Sequence, residues 1–276
     1  MKRGGPILLA LCTVLLADVA GASPESDRQA MVEFFRSRFP AIPLEQYVHG
    51  ALMFSSDAKA QYDSIMEFPP FQGDIDRGRR LWETPFRNGK TFSGCFLNGG
   101  RDVAGNYPYF DERLGNVVTF EMAINACLRE NGERVLGYDD RDTMGVLTAY
   151  ARTLSDGMQI NVRVDSPAAR TKYEQGKALY YRRVGQLNLA CASCHVAFAG
   201  HYFRDELLSP AIGQPAHFPV FRAGEHLHTL HMRYQRCMEA MRAVPFPAGS
   251  EALNNLEYFH SYLSNGVPLK ASVYRK

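Results

Sequence analysis

The chain has 276 residues, 46% of them apolar and 22% charged, which is enough to build one large domain or two ordinary ones. Its 31 Lys and Arg stand against 29 Asp and Glu, for a formal charge of +2. No basic run crosses it, so composition gives no reason to expect nucleic acid as a partner.

Lys2 and Arg3 precede an apolar run from Pro6 to Ala17, and Ala20-Gly21-Ala22 then leads into the polar Ser23-Pro24-Glu25-Ser26-Asp27. This three-part pattern is that of a secretory signal peptide over residues 1–22, cut after Ala22, and it sends the mature chain to the periplasm. The apolar run falls short of the roughly 20 residues that a spanning helix needs, and no membrane span is expected elsewhere. Cys12 leaves with the signal, because Leu11 before it is not the small residue that a lipoprotein signal requires. Residues 23–75 carry Phe34, Phe35, Phe39, Tyr47 and Met53, and predict a structured arm packed on a domain or on a partner.

The remainder repeats itself. Arg77-Gly78-Arg79-Arg80-Leu81-Trp82 resembles Gln175-Gly176-Lys177-Ala178-Leu179-Tyr180, and Tyr107-Pro108-Tyr109-Phe110 parallels Phe218-Pro219-Val220-Phe221. Met122 precedes Cys127 by the interval that separates Met232 from Cys237, and Leu154-Ser155-Asp156-Gly157 matches Leu263-Ser264-Asn265-Gly266. The later landmarks keep an offset of about 110 residues, which marks an internal duplication. Each copy reads as helix, loop, irregular segment, helix, helix. In the second copy, helices are predicted over 172–181, 224–242 and 252–263. Leu227, Leu230, Tyr234, Cys237 and Met241 share helical spacing, and Leu256, Phe259, Tyr262 and Leu263 form a core stripe. Gly157 and Gly266 are expected as helix C-caps. The expectation is an all-α chain of two tandem domains, 76–160 and 161–276.

Within the second, Cys191-Ala192-Ser193-Cys194-His195 makes both copies read as cytochrome c-like domains. A C-x-x-C-H run attaches c-type haem: each thiol forms a thioether with the porphyrin, and the histidine ligates iron. A thioredoxin-like site would need a βαβ setting, and a zinc site a second cysteine pair; the sequence offers neither. In the first copy the corresponding stretch is Phe92-Ser93-Gly94-Cys95-Phe96. With one cysteine and the histidine replaced, that copy holds no haem, so one covalent haem c per chain is expected. With no haem between them, Cys95 and Cys127 are expected to close as a disulfide.

Cys237 is then left over. It lies between Arg233 and the haem-domain C-terminus, with Arg236 adjacent, a setting that favours a thiolate. Methionine is the commonest distal haem ligand, and Met232, Met238 and Met241 lie nearby. A passive periplasmic electron-transfer cytochrome with methionine on iron is therefore the alternative reading, and a haem-bearing interaction subunit is a third. His226, His228 and His231 are read as solvated helix histidines.

Gly200-x-x-x-Arg204, Leu208-Ser209-Pro210, Phe218-Pro219-x-Phe221-Arg222 and above all Arg233-x-x-x-Cys237 resemble the SoxA subunits of the thiosulfate-oxidising SoxAX cytochromes. The resemblance implies an L-cysteine S-thiosulfotransferase that joins thiosulfate oxidatively to a cysteine of the carrier protein SoxYZ. It implies a heterodimer with a SoxX-type cytochrome c and a soluble cytochrome c as electron acceptor. It makes Cys237 the distal haem ligand and the catalytic sulfur, carried as a persulfide, and Arg233 the residue that binds substrate. Family members with a second haem differ at Phe92 and Phe96, so the single-haem type is the nearer likeness.

Overall fold

The computed structural model describes residues 23–222 and 226–275; the leader read over residues 1–22 lies outside the described residues. Helix α1 (Pro24–Arg38) starts where the Ser23 hydroxyl accepts from the Ser26 N–H and Pro24 supplies a preset φ. A 3-10 stretch (Leu44–Phe54) and helix α2 (Ser56–Glu67) follow. This arm packs on the second repeat. Asp27 accepts from the Lys177 ammonium at 2.7 Å and from the Tyr173 hydroxyl at 3.0 Å. Arg38 donates to the carbonyls of Val196 and Ala197, beside the C-x-x-C-H run. Phe35 and Tyr47 are buried, while Phe34 faces outward.

The first repeat contains α3 (Gln72–Glu83), strands β1 (Tyr109–Asp111) and β2 (Asn116–Val118), α4 (Phe120–Glu130) and α5 (Val146–Thr153). The second contains α6 (Pro167–Tyr181), β3 (Tyr202–Phe203), β4 (Glu206–Leu207), β5 (Val220–Arg222), β6 (His226–His228), α7 (Leu230–Ala240), α8 (Glu251–Leu263) and β7 (Val273–Arg275). Matching local devices recur in both. A Cβ at Gly78 would lie 2.1 Å from the Val146 carbonyl oxygen, and one at Gly176 would lie 1.9 Å from that of Asn255. Only glycine lets α3 close on α5 and α6 on α8. Each repeat has a cis X–Pro bond, Tyr107–Pro108 and Phe218–Pro219, followed by an antiparallel hairpin, β1–β2 and β5–β6. Each hairpin ends on a threonine whose hydroxyl caps the next helix: Thr119 accepts from Met122, Thr229 from Met232.

The repeats meet through reciprocal backbone bonds. The Gly157 N–H donates to the Leu269 carbonyl and the Gly266 N–H to that of Ile160. Both glycines adopt positive φ, +87° and +90°, several residues beyond the helix ends, so they shape this junction rather than cap α5 and α8.

Two expectations are corrected. The described residues contain seven short strands, so the chain is helix-rich and not all-α: the irregular segments are hairpins, and β5 also pairs in parallel with β7. The helix expected from Gly224 begins at Leu230, because Thr229 caps it there; Leu227 belongs to β6 and packs with Phe71, Val146 and Phe221. Among the described residues, no helix is long and apolar enough to cross a membrane.

Candidate haem and sulfur site

The C-x-x-C-H run is held by its own backbone. The Ser193 hydroxyl accepts from the Ala190 N–H, and a π-helical turn (Ser193–Ala197) is closed by the Phe198 N–H on the Ser193 carbonyl at 3.1 Å. Widened turns of this kind are frequent at functional sites. The His195 Nδ1–H donates to the Ser209 carbonyl at 2.9 Å, and the Gln214 amide lies 2.7 Å from the same nitrogen. That bond fixes the tautomer and leaves Nε2 for a metal. Burial pushes the imidazole down to about 4, against the Ser209 bond, and so keeps it neutral, as a ligand nitrogen must be.

Cys237 lies on α7 as a half-buried free thiol. Burial, and then the charge of Cys237, push the Cys191 thiol up to about 12; the same two causes raise Cys194. The Tyr180 hydroxyl is buried without a hydrogen-bond partner, and its pKa is raised well above the ordinary value by burial and by Cys191, among its neighbours Cys194 and Cys237. An unpaired buried hydroxyl costs about 1–3 kcal/mol. Two thiols at C-x-x-C spacing, an oriented imidazole with a free Nε2, and an orphaned hydroxyl among the sulfurs form a donor set that fits haem c.

The arginines flanking Cys237 point different ways. Arg233 faces the site: the charge of Cys237 raises its pKa against burial, and its Nη2 donates to Glu206 Oε2 at 3.0 Å. Arg236 points outward and pairs with Glu239 at 2.8 Å. Arg222, at the end of β5, donates to the other Glu206 oxygen at 2.6 Å. Arg222 ends the Phe218–Arg222 segment, whose sequence assigns it no role, and Glu206 carries no local signal, because it meets both arginines only through the fold. Met232, Met238 and Met241 are all buried in the core.

The histidines before Cys237 depart from the solvated reading. His228 lies on β6, buried, with Nδ1 unpartnered; burial and the charges of Arg141, Arg222, Arg233 and Arg236 bring it down to about 4. His231 is buried on α7: its Nδ1 accepts from the Gly249 N–H, and its Nε2 lies 3.1 Å from Glu257. His226 lies on β6 as well.

The matching place in the first repeat is filled by rings. Trp82 stacks on Phe92 at 5.3 Å and lies 5.2 Å from Phe96, which in turn contacts Phe120 at 5.5 Å. All four are buried. Cys95 and Cys127 are joined as a disulfide with their Cα atoms 5.8 Å apart. Cys191, Cys194 and Cys237 are free thiols.

A family model described as SoxA/TsdA, cytochrome c domain, matches residues 77–160, the repeat without the C-x-x-C-H run. The chain is 41% identical to the L-cysteine S-thiosulfotransferase subunit SoxA of Chlorobaculum tepidum, over 97% of this chain and 96% of that protein. It is 38% identical to the subunit of the same name from Allochromatium vinosum, over 98% and 96%. The crystal structure of SoxXA from P. pantotrophus superposes with a TM-score of 0.70 at 29% identity, covering 78% of this chain and 84% of that one. The fold is thus a helix-rich, cytochrome c-like one.

Proposed function

The chain belongs to the SoxA family of L-cysteine S-thiosulfotransferase subunits, and from that premise we propose that it joins thiosulfate to a carrier-protein cysteine in the periplasm. The carrier is of the SoxYZ kind, and a SoxX-type cytochrome c completes a heterodimer like that named for the P. pantotrophus structure. Residues 76–160 are a cytochrome c-like domain that has lost its haem, and residues 161–276 hold one haem c through Cys191, Cys194 and His195.

Joining a thiol to thiosulfate as an S–S bond removes two electrons and one proton. Haem c, when bound, would supply a redox centre beside that chemistry, and a soluble cytochrome c is the acceptor of the two electrons. Cys237 would hold the haem iron from the side opposite His195, and it is the catalytic sulfur, carried as a persulfide. Arg233 holds the thiosulfate dianion next to it, because a guanidinium offers an oxyanion a forked, charge-assisted contact.

The observation that supports this reading is that Arg233 and Cys237 lie one turn apart on α7, with the Arg233 guanidinium held by Glu206 at 3.0 Å. The test is Cys237→Ser in the complex with SoxX-type and SoxYZ partners. The haem remains attached, the thiolate signature in low-temperature electron paramagnetic resonance disappears, and thiosulfate conjugation falls nearly to zero. Full turnover in this variant would hand the reading to the passive electron carrier or the interaction subunit. Arg233→Ala leaves the haem spectrum nearly unchanged and weakens thiosulfate use, and Arg233→Lys recovers only part of it.

A further inference from the structure

Arg222 and Arg233 come from separate elements, β5 and α7, yet they share one carboxylate. Glu206 gives Oε1 to Arg222 at 2.6 Å and Oε2 to Arg233 at 3.0 Å. It sits on β4, in a hairpin of two-residue strands whose turn passes through Arg204 at φ +58°. The hairpin is exposed: Tyr202 and Phe203 both face solvent. The Glu206 side chain is 44% exposed, against 25% and 27% for the arginines it bridges. The carboxylate thus closes the outer side of the two guanidinium groups.

We propose that Arg222 and Arg233 together form the clamp for the thiosulfate dianion, and that Glu206 is an internal occupant which the substrate must displace. The proposal rests on the functional reading above only in taking thiosulfate as the anion. A carboxylate that gives one oxygen to each guanidinium occupies the positions that two sulfonate oxygens would take. Glu206 brings a single negative charge to the two guanidinium groups. A dianion in place of Glu206 neutralises the pair, whereas a monoanion leaves the charge as it was, so the exchange selects for double charge. A two-strand hairpin without further sheet partners is marginal on its own, so moving it aside is inexpensive. Self-occupancy lowers apparent affinity by the fraction of time that the clamp is free.

The test is calorimetric binding of thiosulfate, with sulfate as an unreactive dianion and nitrate as a monoanion, to the haem-loaded heterodimer without carrier protein. Glu206→Gln keeps the shape and removes the charge. It tightens dianion binding roughly 5–10-fold, and Glu206→Ala does the same. Arg222→Ala weakens dianion binding roughly 10-fold or more, lowers the preference for sulfate over nitrate, and is partly rescued by Arg222→Lys. Unchanged or weaker binding in both Glu206 variants would make Glu206 a structural tie and overturn the displacement. Wild-type affinity in Arg222→Ala would overturn the clamp. Because nothing turns over in this assay, its failure leaves the Cys237→Ser result standing, and the converse holds too.

Discussion

Trp82 and Tyr180 hold matching places on α3 and α6, each one residue short of a helix end or close to it, and each is buried. What lies beside them differs. Around Trp82 the space is closed by Phe92, Phe96 and Phe120, with the Cys95–Cys127 disulfide at its edge. Around Tyr180 stand three free thiols, and the Tyr180 hydroxyl has no partner. The helix-crossing glycines, the cis-proline hairpins and the threonine caps recur in both repeats, so the scaffold does not depend on what fills its centre. A haem macrocycle in the second repeat would meet the packing need that the rings meet in the first, because each supplies a broad flat apolar area. One repeat spends its interior on stability, and the other keeps reactive groups there.

The largest expected effect tests the chemical half of this contrast. Mass spectrometry of the exported protein, made with a haem-attachment system, gives one haem on a chain beginning at Ser23. The Cys191→Ala, Cys194→Ala double variant gives none. A second haem, or haem retained by the double variant, would break the contrast between the repeats. Trp82→Ala tests the packing half. It removes the ring on which Phe92 and Phe96 rest and should cost about 3–5 kcal/mol in denaturant unfolding, with haem attachment in the other repeat intact. A cost below 1 kcal/mol would mean that the ring cluster does not stabilise the first repeat. The disulfide comes next. Cys95→Ser with Cys127→Ser should cost about 3–4 kcal/mol on the chain-entropy model for a loop of this size. Peptide mapping without reduction recovers the two cysteine peptides linked.

Much of this organisation was legible because it repeats. The Gly78 and Gly176 landmarks, the Tyr107-Pro108 and Phe218-Pro219 pairs, and the Met122/Cys127 and Met232/Cys237 spacing all stand in the sequence, and each marks a recurring local device. Helix α8 was legible from the Leu256, Phe259 and Leu263 stripe, all three buried. The hairpin β5–β6 was not, because Leu227 happens to fall in register with Leu230 and Tyr234, so a strand residue looked like one more helical turn. The parallel pairing of Val220 with Val273 joins segments too far apart for periodicity to report. Glu206 shows the same limit at the site. A carboxylate sixteen residues from Arg222 and twenty-seven from Arg233 has no spacing rule to betray it. Arg236 shows the converse, since its nearness to Cys237 in sequence said nothing about direction, and it turns to Glu239.

The smallest expected effect separates the repeats by pH. Residues 76–160 contain no histidine, whereas the second repeat buries His217 and His260. The Tyr234 hydroxyl lies 2.9 Å from His260 Nδ1, and His260 Nε2 lies 2.9 Å from the Ala211 carbonyl. A carbonyl only accepts, so Nε2 carries the proton, Nδ1 accepts from the tyrosine, and the ring is neutral. Burial pushes His260 down to about 3 and His217 well below its ordinary value. A base whose folded pKa is depressed leaves the unfolded chain holding the extra proton below pH 6.5. Its stabilising share is therefore full above that pH and is lost as the pH falls toward the folded value, by about 2 kcal/mol per ring at pH 5. Glu121, on α4 in the first repeat, runs the other way. Burial and then the charge of Glu257 raise its carboxyl, so acid relieves a penalty there. Hydrogen exchange on the haem-loaded protein, corrected for intrinsic rates, should therefore show α8 losing protection relative to α4 between pH 7 and pH 5. His217→Gln should remove about 2 kcal/mol of the acid-induced loss, measured by urea unfolding at the two pH values. Equal loss of protection in α4 and α8, with the His217→Gln slope unchanged, would show that the acid sensitivity of the fold does not reside in the buried imidazoles of the second repeat.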